Sequence, residues 1–285
     1  MKKRILSLLI IISLGIAVLP SSASTRTITT NQLGKHNGYD FEFWSQFPEG
    51  GSMTLGAEGT GGAFSCEWDG VFNILFRTGK KYNRTQTYEQ LGEISIEYEA
   101  TRNVTKGNVS YLAVYGWLDN PLVEYYIIEA RGSYNPGSHG TNMGSITVDG
   151  GVYDIWVTER VNQPSINGTA TFKQYWSIRR DNRTSGIISV SEHFRAWEKA
   201  GMDMSGKMYE IAFTVEAFGG EARNAAGSAD ITKMEIIVGE AGGNAAVTVP
   251  VTTAGAIAIL RDVAAGKPGV TTADAVAILK QVAAG

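Results

Sequence analysis

The 285-residue chain is poor in the residues that make staples and metal centres: one cysteine, Cys66, and three histidines, with 7 prolines against 34 glycines. A single cysteine excludes an intramolecular disulfide, and so few Cys and His residues form no cluster of recognisable metal-ligand spacing. No zinc, thiol-redox or other cofactor chemistry is expected. Basic residues are not in excess: 25 stand against 28 acidic ones, a net charge of −3, and removal of a leader carrying Lys2, Lys3 and Arg4 takes this to −6. No positive field for nucleic acid remains. Long hydrophobic runs are also missing. The longest, Ile5 to Leu19, is about 15 residues, short of the roughly 20 that a spanning helix needs. With its basic start and the Pro20-Ser21-Ser22-Ala23 stretch, it reads as a cleaved signal peptide over residues 1–24, the alternative being a membrane anchor. A secreted, extracellular monomer with no nucleic-acid or membrane partner is the expectation.

What is present is apolar and ring-rich. Hydrophobic residues make up 43% and aromatics 10%, enough for a full core, which excludes disorder and collagen-like repeats. From about Thr27 to Gly239, short stretches rich in Val, Ile, Tyr, Phe, Thr and Trp alternate with turns such as Asp149-Gly150-Gly151 and Asn167-Gly168, which predicts one large all-β domain over residues 27–240. One segment, Ser189 to Met202, places His193, Ala196, Trp197 and Ala200 at helical spacing and ends at Gly201. It is read as a single helix packed outside a sheet.

Alternate residues of a strand share a face. Tyr111, Ala113, Tyr115 and Trp117 therefore share one side, and rings with polar tips suit a wet groove better than a core. Glu124 falls with Tyr126 and Ile128, opposite Val123, Tyr125 and Ile127; Glu216 falls with Ala212, Thr214 and Phe218, opposite Ile211, Phe213 and Val215. A lone strand glutamate is ordinarily a solvent-facing charge. Two carboxylates facing one sugar-binding cleft are, however, what glycoside hydrolysis requires. Cys66 reads as a small buried hydrophobe.

Asn37-Gly-Tyr-Asp-Phe-Glu-Phe-Trp44, Gly61-Gly-Ala-Phe-Ser-Cys-Glu-Trp68, Tyr115-Gly-Trp117, Pro121-Leu-Val-Glu-Tyr-Tyr126, Arg160 through Pro164-Ser-Ile166, Gln174-Tyr-Trp176 and Val215-Glu216 together resemble glycoside hydrolase family 11, the small endo-β-1,4-xylanases, over roughly residues 36–239. The resemblance implies a β-jelly roll sandwich of two curved antiparallel sheets with one outer α-helix. It implies retention of anomeric configuration, with Glu124 as nucleophile and Glu216 as acid/base, their carboxyls about 5–5.5 Å apart. Glu124 should be ionised at rest and Glu216 raised by burial and by its charged neighbour. By the same resemblance Tyr115 and Tyr126 flank the nucleophile, Gln174 and Arg160 bind the proximal xylose, Trp44 is the platform for the next sugar, and Tyr111 extends the floor. Asn73 matches the position that tunes the acid/base toward a near-neutral or mildly acidic optimum. Pro164, Ser165 and Ile166, in a hairpin closed by Asn167-Gly168, match a flap that covers the cleft. The chain departs from the family after Glu216, where Ala217-Phe218-Gly219-Gly220-Glu221-Ala222-Arg223 implies a longer loop and leaves the distal subsites open.

After Gly239 aromatics disappear. Residues 241–250 read as a linker, and Val251 to Gly266 recurs as Val270 to Gly285, a helical duplication resembling dockerin helices over residues 251–285. Of the ligands a calcium loop needs, only Asp274 is in place; Val263, Ala265 and Lys267 occupy the early ligand positions and Gly255 the final acidic one of the first copy. Neither loop can enclose calcium, so a cohesin partner would have to be met without it. The alternatives are a small helix pair and an inert tail. As a whole, the sequence predicts a cofactor-free endo-xylanase acting on xylan, with a non-catalytic xylan-binding sandwich as the rival.

Overall fold

The computed structural model describes residues 25–47 and 50–239, so the leader, the linker and the duplicated tail lie outside the described residues. In chain order the strands are β1 (Arg26–Ile28), β2 (Gln32–His36), β3 (Tyr39–Ser45), β4 (Gly51–Leu55), β5 (Phe64–Asp69), β6 (Asn73–Lys81), β7 (Ile94–Lys106), β8 (Val109–Asp119), β9 (Val123–Arg131), β10 (Thr141–Val148), β11 (Gly151–Ser165), β12 (Gly168–Arg179), β13 (Ser185–Ile188), β14 (Lys207–Phe218) and β15 (Ala226–Val238). They form a six-stranded sheet, β1-β4-β5-β15-β7-β13, and a nine-stranded sheet, β10-β11-β12-β9-β8-β14-β6-β3-β2. Pairing is antiparallel with one exception. β12 runs beside β9 in the same direction, with Gln174 opposite Glu124 and Trp176 opposite Tyr126.

Period-two alternation decides which residues fill the layer between the sheets. Leu112, Val114 and Leu118 of β8, Val123, Tyr125 and Ile127 of β9, and Ile211, Phe213 and Val215 of β14 meet Trp68, Ile96, Tyr98 and Met234 of the small sheet in one core. Gly116 is required here by close approach. A Cβ at this position would lie 2.1 Å from the Glu210 carbonyl oxygen and 2.3 Å from the Tyr125 hydroxyl. Burial pushes the Cys66 thiol up, in keeping with a packed, unreactive side chain.

The helix predicted near Ser189–Met202 is α2 (Val190–Lys199), packed through Phe194 and Trp197 against Tyr125, on the face of the large sheet turned away from the ring-lined side. A second helix, α1 (Tyr88–Leu91), and a 3-10 turn at Pro136–His139 were not predicted. Four residues are too few to show a helical period; α1 is held by the reciprocal capping bonds of Thr87 and Gln90.

A charged network is also buried in the core. Glu129, fully inaccessible, accepts from Tyr98 at 2.8 Å, Tyr153 at 2.5 Å and Arg183 at 2.5 Å. Both oxygens of this carboxylate are met by protein donors, as a buried charge demands.

Candidate active site

The other face of the large sheet is laid out in rows by strand register. Trp117, Glu124, Gln174 and Thr158 lie side by side on β8, β9, β12 and β11; Tyr115, Tyr126, Trp176 and Trp156 form the next row on the same strands. Glu216 on β14 stands opposite Tyr111 of β8 and Leu75 of β6, and Leu75 opposite Trp44 of β3. The rings do not stand in an open wet groove. Tyr115 meets Tyr126 edge-on at 5.0 Å, Tyr126 stacks on Trp176 at 4.4 Å, and Trp117 meets Phe172 at 4.8 Å, so each ring buries its neighbours beneath the β11–β12 hairpin.

Glu124 is 9% exposed and is held by neutral donors. Tyr115 Oη donates to Oε1 at 3.0 Å, Gln174 Nε2 donates to Oε2 at 2.6 Å, and Tyr126 Oη donates to Oε1 at 3.4 Å. Burial raises its proton affinity, while these hydrogen bonds and the charges of Arg160 and Arg77 pull it back. Burial and the nearby Glu124 charge keep both tyrosines well above the ordinary phenol range, so they remain donors. Glu216 is different: its Oε2 is sealed from solvent with no hydrogen-bond partner. Burial first and the Glu124 charge second push it up to about 7, against the pull of Tyr126, Arg77 and Arg160. Glu124 is oriented by its donors and stays somewhat above the ordinary carboxylate value, while Glu216 is pushed up to about 7.

The remaining expected residues surround this pair. Trp44 is 37% exposed and edges the Glu216 row. Tyr111 is buried with its ring edge-on to both Tyr126 and Trp176, at 6.3 and 6.4 Å. Arg160 is exposed on the hairpin and hydrogen-bonds Gln163 at 3.4 Å. Asn73 starts β6 opposite Phe218, one row beyond Glu216, and its Oδ1 is sealed without a partner; no hydrogen bond joins it to Glu216 among the described residues. At the hairpin tip Pro164 pairs with Thr169, the Ser165 hydroxyl donates to the Gly168 carbonyl at 2.6 Å, and Ile166 packs on the ring cluster.

The profile of glycosyl hydrolases family 11 matches residues 36–232. The chain belongs to this family. It is 50% identical over 241 residues to endo-1,4-beta-xylanase A of Bacillus pumilus, covering 84% of this chain and all of that one. It is 52% identical over 214 residues to endo-1,4-beta-xylanase A of Thermoclostridium stercorarium, of which it spans only 31%. Among solved structures it is similar to wild-type ENZbleach xylanase, with 35% identity and a TM-score of 0.68 over 79% of this chain and 90% of that one.

Sequence reasoning missed several residues of this family 11 site. Arg77 lies under Tyr115, its guanidinium carbon 4.9 Å from the ring, between Glu210 at 3.0 Å and Glu42 at 2.7 Å. Its place on the carboxylate face was readable from the period of β6, two residues beyond Leu75. Tyr134 joins the ring cluster from a loop pinned by Arg131, which donates to the carbonyls of Gly132, Ser133 and Tyr134. At the open end, Phe47, Phe72 and Phe218 meet edge-on at 5.5 and 5.3 Å, with Arg223 of the long loop 4.9 Å from the Phe47 ring centre. No local sequence signal joins those three phenylalanines.

Proposed function

We propose that the chain is a glycoside hydrolase that cleaves internal β-1,4 bonds of xylan with retention of configuration. The observation that carries this reading is the split between the carboxylates, Glu124 oriented by neutral donors and Glu216 raised to about 7. The named activity of the family 11 relatives supports xylan as the substrate. In the first step a Glu124 oxygen bonds to the anomeric carbon as the glycosidic C–O bond breaks; the bond pair goes to the leaving oxygen, which takes the Glu216 proton. In the second, water attacks the anomeric carbon, Glu216 takes the water proton, and Glu124 leaves as carboxylate. The tyrosines and Gln174 hold Glu124 in place through both steps. Export through the residue 1–24 leader belongs to the same proposal.

Reducing-sugar release from soluble arabinoxylan, run beside Glu124→Gln with product anomers followed by proton NMR, tests the reading. β-Anomers formed first by the wild type, and loss of several orders of magnitude in the variant, are expected. Xylan binding without turnover by the wild type would overturn it in favour of a non-catalytic binding domain.

A further inference from the structure

Two hydrogen-bond relays end on Glu124, and each begins at an indole. Trp117 Nε1 donates to Tyr115 Oη at 2.5 Å, and Tyr115 Oη donates to Glu124 Oε1 at 3.0 Å. On the other side Trp176 Nε1 donates to Thr158 Oγ1 at 2.9 Å, Thr158 Oγ1 donates to Gln174 Oε1 at 3.1 Å, and Gln174 Nε2 donates to Glu124 Oε2 at 2.6 Å. An indole nitrogen can only donate, whereas a hydroxyl can donate or accept. The indole therefore sets the direction of everything downstream. A hydroxyl that accepts from Trp176 is free to direct its own proton to Gln174 Oε1, and an amide whose oxygen is claimed there turns its N–H toward the carboxylate.

This matters because the two ends of a glutamine amide are nearly the same size. Turned over, Gln174 would set a carbonyl oxygen against Glu124 Oε2 and replace an attraction with a repulsion. We propose that Thr158 and Trp176 are positioning residues for the hydrolysis, locking the Gln174 amide with its N–H on the nucleophile, as Trp117 locks the Tyr115 hydroxyl on the other oxygen. The inference rests on the hydrolase reading above. The row geometry makes the lock rigid: Thr158, Gln174 and Glu124 are successive neighbours across β11, β12 and β9, and the Trp176 ring is fixed by its 4.4 Å stack on Tyr126. The charged and titratable groups around Glu124 are Glu216 from β14, Arg77 from β6, Arg160 from β11, Tyr115 from β8 and Tyr126 from β9. Replacing Thr158 alters none of them.

The test uses the full chain and the pH profile of kcat/KM on soluble arabinoxylan. Thr158→Val keeps the shape and removes the hydroxyl; kcat is expected to fall about tenfold, the loss of one oriented hydrogen bond to a charged group. The acid limb of the profile, which reports ionisation of the nucleophile, is expected to move up by about one pH unit as Glu124 loses a donor. The basic limb stays in place, and Thr158→Ser restores both quantities. Trp176→Phe keeps the ring stack and is expected to move the acid limb the same way, which carries the test if Thr158→Val does not fold. A folded Thr158→Val with wild-type kcat and acid limb, or a Thr158→Ser as impaired as the valine, would overturn the proposal. Titration of the Glu124 carboxyl by carbon-13 NMR in wild type and Thr158→Val reads the same upward shift without turnover, so a failure of the hydrolase reading shows separately, as a wild type that releases no sugar.

Discussion

Taking the charge from Glu124 should lower the proton affinity of Glu216 without returning it to normal. In the wild type Glu216 stands at about 7 against an ordinary 4.5, with burial the larger cause and Glu124 the next. Glu124→Gln leaves the burial and removes the charge. Two unit charges at the retaining spacing of about 5–5.5 Å, at an effective dielectric constant of about 20–40, interact by roughly 1.5–3 kcal/mol, or about 1–2 pK units. Glu216 in the variant should therefore titrate between about 5 and 6. Carbon-13 carboxyl NMR reads this directly. A value still near 7 would mean that burial alone sets it; a value at or below 4.5 would mean that burial contributes nothing. In the proposed mechanism the same loss of charge would accompany esterification of Glu124 by the sugar, letting one residue give a proton in the first step and take one in the second. Stability follows with a definite sign. A folded-state pKa raised above the unfolded one contributes stability that is full below about pH 4.5 and lost as pH rises through about 7. The ceiling is about 3 kcal/mol, less for the part of Glu216 open to the cleft. Glu216→Gln should flatten the fall in denaturation midpoint between pH 5 and 8.

Three further outcomes follow from individual contacts. The hairpin tip is clasped to the sheet because Asn167 accepts from Arg84 Nη1 at 2.7 Å and donates to Asp119 Oδ1 at 2.9 Å. Asn167→Ala should raise KM by about three- to tenfold with little change in melting temperature, at roughly 1 kcal/mol for the lost bonds; an unchanged KM counts against a clasp that holds substrate. Arg183→Met leaves Glu129 buried and unpaired, which should destabilise by about 3–5 kcal/mol. Calorimetry would show a drop of about 10 °C, and one below about 3 °C would mean that the pair is not what holds that carboxylate. Gly116→Ala forces a methyl into the Glu210 carbonyl and the Tyr125 hydroxyl and should destabilise by about 3 kcal/mol or more, read by urea titration.

Much of this was legible because strands write their two faces into the sequence. Val123-Glu124-Tyr125-Tyr126-Ile127-Ile128 alternates, and the structure divides it between core and site as the alternation demands. The helix was legible from His193, Ala196, Trp197 and Ala200 at helical spacing, of which His193 and Trp197 are buried. Two things were not. The crowding of the rings depends on which strands are neighbours, and the β9–β12 pairing that stacks Tyr126 on Trp176 joins segments fifty residues apart. The face of Arg77 could be read from the period of β6 but its partners could not, because one cation in a strand looks like surface and only the fold brings Glu42 and Glu210 to its sides.

The strand β9 carries two buried carboxylates, and their difference agrees with the proposed choice of Glu124 as nucleophile. Glu124 and Glu129 are five residues apart, an odd number, so they face opposite sides of the sheet. Glu129 has a guanidinium at 2.5 Å, which fills the space an incoming atom would need. Among the described residues no cation forms an ion pair with Glu124; Arg77 and Arg160 act on it from a distance, and its contacts are a phenol, a second phenol and an amide. Neutral donors stabilise the anion by less than a contact ion pair would, which in the proposed mechanism leaves it basic enough to attack carbon. An arginine moved into contact with Glu124, by Gln174→Arg for instance, should lower the proton affinity of Glu124 and reduce kcat together. If kcat rose instead, the neutrality of this shell would have no part in the reaction.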